Sequence, residues 1–171
     1  MTIDTGSPFW MFSIAFYSDQ TSAPCLALQD RCGADVNIVL FLLWRASFGE
    51  ALPNDAIQLI DNEMAPWREH VVRPLRNVRR WLKTEVSETI DFERSERLRG
   101  RVKGIELESE FLQQEALYAI LERLPVNAEP DIEKAAALNL MAYAKLLDNE
   151  FPPDLLDKLI YELTVKSRGG K

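Results

Sequence analysis

Hydrophobic positions recur every three or four residues almost from one end of this chain to the other, and no segment alternates convincingly with period two. Phe9, Phe12 and Phe16 fall at i, i+3 and i+7 behind Pro8, which suits a first turn, so a first helix is expected to about Asp19. Ser22 is placed to cap a second helix with Pro24 in its first turn, and Gly33 to end it. Asp35 then caps a third helix through Phe48, stopped by Gly49, and Asn54 caps a fourth that begins at Asp55. Pro66 and Pro74 punctuate the next stretch, which predicts a kinked helix or two short ones ending at Lys83. Further on, Leu98, Val102, Ile105, Ser109, Leu112, Ala116 and Ala119 step by four and three and form one long stripe. Gly100 and Gly104 weaken it, so the chain either breaks there or admits a close helix crossing. Asp131 opens a helix to about Asp148, and Pro152-Pro153 begins the last.

These segments predict an all-α fold, a single compact domain of six to eight helices over residues 1–166 with no sheet, followed by a disordered tail at 167–171. The helix at 36–48 is expected to be central and the one at 98–121 to pack along it. A chain of 171 residues, 47% hydrophobic, is long enough for one self-sufficient core and short for two. The run from Val36 to Trp44 is too short to cross a bilayer, and the acidic start at Asp4 lacks the cationic region of an export signal. Cys25 and Cys32, the only cysteines, read as reduced buried thiols, and a cytoplasmic setting follows.

Charge changes the picture more than composition does. The formal net charge of −7 argues against nucleic acid as a partner, since that affinity rests on neutralising phosphates. The charge is segregated: residues 1–65 hold 2 Lys/Arg against 8 Asp/Glu, residues 66–103 hold 11 against 6, and residues 104–162 hold 4 against 13. At helical spacing Arg73, Arg76, Arg80 and Lys83 share one stripe, while Val71, Leu75, Val78 and Leu82 take the opposite one. With Arg68 they form a candidate surface for an acidic protein partner or an anionic small molecule. Equally, they can pair internally with Glu106, Glu108, Glu110 and Glu115.

A second constellation lies at the mouth of the most apolar segment, where Gln29, Asp30, Asp35 and Asn37 must be satisfied by caps, partners or a ligand. Gly33 supplies a left-handed residue, Asp35 caps, and Asn37 is within reach of the open carbonyls of the preceding helix. Gln29 and Asp30 remain as candidates for a pocket facing the basic helix, with the sole histidine, His70, nearby as a partly buried, hydrogen-bonded group. The aspartate spacing matches neither an EF-hand loop nor the aspartate-rich helix of prenyl-diphosphate enzymes, so no metal or other cofactor is expected. No catalytic motif is present, and the aromatic residues, Trp67 and Trp81 included, read as core. The first reading is therefore a non-enzymatic interaction or regulatory module, and the alternative a small enzyme or binder for a phosphate-bearing or other anionic metabolite.

Four segments carry a resemblance: Phe9-Trp10-x-Phe12-Ser13, then Cys25-Leu26-x-Leu28-Gln29-Asp30-x-x-Gly33-x-Asp35-Val36-Asn37, then Trp67-Arg68, and Pro74-Leu75-Arg76-x-x-Arg79-Arg80-x-Leu82-Lys83. Over about the first half of its length the chain resembles a family of small proteobacterial proteins known as domain of unknown function 2390. The resemblance implies a bacterial cytoplasmic helical protein and carries no activity or site residue with it.

Overall fold

The computed structural model describes residues 6–84 and 88–169. Its elements are α1 (Pro8–Phe16), α2 (Asp19–Cys32), α3 (Val36–Ala46), β1 (Glu50–Ala51), α4 (Asn54–Trp67), α5 (Arg73–Thr84), α6 (Phe92–Ala119), β2 (Asn127–Ala128), α7 (Ile132–Leu146) and α8 (Pro153–Gly169). The all-α class holds. The departure from a sheet-free chain is a two-residue antiparallel ladder that sets Glu50 opposite Ala128 and Ala51 opposite Asn127.

Local chemistry explains most boundaries. Ser7 Oγ accepts from Trp10 N–H to start α1, and Asp131 accepts from Glu133 and Lys134 to start α7. Gly33, at φ +71°, closes α2 in the left-handed conformation. The second helix begins at Asp19 behind Ser18, earlier than the Ser22 start expected, because Thr21 Oγ1 takes up the Ser18 N–H at 2.9 Å. Pro24 therefore sits inside the helix. The last helix continues to Gly169, past the expected start of a tail, and residues 170–171 lie outside the described residues.

Pro66 and Pro74 do not split the basic region. Between them Arg68–Val72 forms a π turn in which Arg73 N–H donates to Arg68 C=O, five residues back, so α4 runs into α5 as one continuous rod. The wider turn gives room for the proline rings, whose missing N–H groups leave carbonyls of the preceding turn without a helical donor.

Helix α3 is the centre, buried from Asn37 to Trp44, and it touches α1, α2, α6 and α7. Phe9 packs edge-on to Phe41 at 5.2 Å and stacks on Trp44 at 5.3 Å. Asn139 on α7, fully buried, donates to the carbonyls of Leu42 and Glu50 and accepts from Leu52 N–H at 2.7 Å, fixing the chain as it leaves α3. Cys25 and Cys32 are free and buried, and burial pushes the Cys25 thiol up to about 12.

The long helix corrects the expectation. It runs unbroken through Gly100 and Gly104, both of which face open space, so neither a break nor a close crossing occurs there. Its buried face is largely polar: Ser95, Val102, Glu106, Ser109, Gln113, Gln114 and Leu117. Leu98, Ile105 and Leu112 are each about half exposed. α6 bonds to α3 at Gln113 and Gln114 and pairs with α5 at Glu106 and Glu110, and α5 has no fully buried residue. The reason is what the neighbouring helices offer: the Asn37 amide from α3 and guanidinium groups from α5.

Candidate functional site

The residues singled out at the start of α3 and along α5 meet in one place. A cavity of about 260 Å³ lies between α5 and the α2–α3 turn, lined on one side by Gln29, Asp30 and Asp35. Facing them are Arg68, Arg73, Arg76 and Arg80. Three expected members are elsewhere. Lys83 is exposed farther along α5, and His70 is exposed on the π turn, its imidazole without a hydrogen-bond partner among the described residues, instead of the partly buried setting expected of it. Asn37 faces the opposite side of α3's first turn, toward α6.

Asp35 organises the floor. Its Oδ1 accepts from Asn37 N–H at 2.9 Å as the α3 cap, and its Oδ2 accepts from Gln113 Nε2 at 2.6 Å and from Arg68 at 3.4 Å. Its own N–H donates to the Tyr143 hydroxyl at 3.0 Å. Burial pushes the Tyr143 phenol up, and the Asp35 charge adds to the shift. Burial alone would lower the Arg68 guanidinium, but Asp35 and Asp61 beside it hold it above its ordinary value. Asn37 does not reach the carbonyls of α2. Its amide accepts from Gln114 Nε2 at 2.8 Å and donates to Gln113 Oε1 at 2.9 Å.

The arginines are internally paired, but not equally firmly. Arg76 reaches Glu106 at 3.1 Å and Glu110 at 2.7 Å, Arg79 shares Glu106, and Glu106 itself is 5% exposed. Burial pushes the Glu110 carboxyl above its usual range despite Arg76. By contrast the Arg80–Asp30 pair, 3.0 Å, has both side chains about half exposed, and Arg73 pairs with Glu69 in similar exposure. The hydrogen bond from Arg80 holds the Asp30 carboxyl below its ordinary value. The stripe is thus turned relative to the expectation. Arg76 and Arg79 face inward to α6, while Val78 and Trp81, expected to pack, are 48% and 54% exposed. Sequence reasoning also left Arg79, Gln113 and Gln114 out of the site. The run of glutamates on α6 was the signal for the first, and nothing in the linear pattern marks the other two.

Among the described residues no group of three or more His, Cys, Asp or Glu side chains could hold a metal ion, and no helix is long and apolar enough to cross a membrane. The arrangement can bind charge, through the exposed guanidinium groups at its rim, and it holds no nucleophile with an adjacent base.

Breaking the inner pairs should be costly and breaking the outer ones cheap. Arg76→Ala leaves Glu106 and Glu110 short of a partner and should lower unfolding free energy by about 3 kcal/mol. Arg80→Ala should cost less than about 1 kcal/mol. Urea unfolding of the two variants checks the ordering.

No curated protein matches this chain, and no solved structure does. A family model described as a protein of unknown function, DUF2390, matches residues 8–117. With that match spanning most of the chain and both arms of the site, from α1 through the buried amides of α6, the protein belongs to the DUF2390 family.

Proposed function

We propose that this chain is a non-enzymatic interaction module of the bacterial cytoplasm that engages an acidic protein partner through the outer face of α5. The observation that carries the reading is the exposure of Trp81 at 54% on α5, a helix that also exposes Arg80 and Lys83 and buries no residue completely. Tryptophan and arginine dominate the binding energy of protein interfaces, and a large exposed ring next to cations offers both an apolar anchor and steering charge. Arg73 and Arg80 are held only by exposed pairs, which exchange for a partner's carboxylates at little cost. Arg68 and Arg76 serve the fold and are not part of this surface. The two free buried thiols support a reducing compartment.

The test is affinity capture with a variant carrying Arg73→Glu, Arg80→Glu and Lys83→Glu, paired with Trp81→Ala, each with unchanged circular dichroism. An acidic protein retained by the wild type should be lost from both. If both variants retain the same proteins, the α5 face is not the interface.

The cavity favours a second reading, a binder of an anionic metabolite, because four guanidinium groups line one space of about 260 Å³. A ligand anion must there displace Asp30 or Glu69. Inorganic phosphate should then raise the melting temperature of the wild type and not of the triple variant, and no rise at millimolar phosphate contradicts this reading.

A further inference from the structure

A larger groove, about 640 Å³, runs between α1, α2, α3 and α6 and adjoins the smaller cavity through Gln29 and Arg76. Its size is that of small-molecule sites. The walls are largely apolar, with Trp10 and Ile14 from α1, Leu26 from α2, Val36 and Leu40 from α3, and Leu107 from α6. Glu106 and Glu110 also border it, each tied to an arginine of α5. Two polar atoms of lining residues have no partner: Ser13 Oγ and Gln114 Oε1 are buried, in residues each 3% exposed, and neither makes a hydrogen bond. Native proteins rarely leave such groups unsatisfied, and a ligand is one of the things that satisfies them.

The identity of the free Gln114 atom follows from the network behind it. Asp35 as a carboxylate only accepts, so Gln113 must present its NH₂ to Asp35. Gln113 Oε1 therefore faces Asn37 Nδ2, and Asn37 Oδ1 faces Gln114 Nε2. The chain ends on Gln114 Oε1, an acceptor that calls for a donor from the groove. At the other end of the groove Lys103 is exposed, and its side chain has no hydrogen bond or ion pair among the described residues. Lys103 and Gln114 stand eleven residues apart on α6, about 16 Å along its axis.

We propose that this groove binds a small amphiphile with a hydrocarbon body along the apolar walls, an anionic end at Lys103 and a hydroxyl or N–H donor at Gln114 Oε1. The spacing of the two residues along α6 suits a chain of about ten carbons with the donor at its far terminus.

The test is calorimetric titration of the full chain with 10-hydroxydecanoate and with decanoate, which lacks the donor. The hydroxy acid should bind about tenfold more tightly. Gln114→Met should bring the two acids to equal affinity. Ile14→Glu, at a wall position 56% exposed and so without cost to the core, should weaken both by at least about tenfold. Absence of binding by either acid at millimolar concentration, equal affinity of the two for the wild type, or binding unchanged by Ile14→Glu would each overturn the proposal. If Gln114→Met fails to fold, the wild-type comparison and Ile14→Glu still decide.

Discussion

One buried carboxylate ties this structure together. Asp35, 7% exposed, caps α3, receives an amide from α6 and a guanidinium from the π turn, and lends its peptide N–H to a tyrosine of α7. Burying a charge costs several kcal/mol, and the cost is offset here because each oxygen is used and a cation stands beside it. The arrangement does more than cap a helix. Because Asp35 cannot donate, it fixes the direction of the amides of Gln113, Asn37 and Gln114 in turn, and α3 and α6 are held in a register that a purely apolar contact would specify less sharply.

The protein divides its stability between two kinds of contact. Around α3 the aromatic and aliphatic side chains of α1, α2, α4, α7 and α8 make the hydrophobic core. The α5–α6 pair contributes little to that core before Leu117 and is braced by Arg76 and Arg79 against Glu106 and Glu110. Charges turned inward between these helices leave apolar residues turned outward: Val78 and Trp81 on α5, Leu98, Ile105 and Leu112 on α6.

How much of this was legible in the sequence follows from what each signal depends on. Gly33 and Asp35 were readable because helix ends are local: a left-handed glycine and a capping carboxylate act on neighbours within three residues. The all-helical class was readable from period alone. The face of α6 was not, because Glu106 and Gln113 are buried on account of arginines 30 and 27 residues away and an asparagine 76 residues away. The same dependence hid the role of Asn37, which two side chains of α6 draw away from the carbonyls of α2. Pro66 and Pro74 suggested a break since each removes a donor, and a π turn between them supplied an alternative that composition does not announce.

The most direct test of the account is the unfolding free energy of Asp35→Ser. Serine is as good a helix cap as aspartate, so if Asp35 were only a cap the change would be within about 0.5 kcal/mol. The account predicts a loss of about 3 kcal/mol or more, because Gln113 loses its acceptor in a buried setting and Arg68, left with Asp61, loses one of the carboxylates that offset its burial. A loss below about 1 kcal/mol would contradict the claim that this carboxylate organises the contact between α3 and α6.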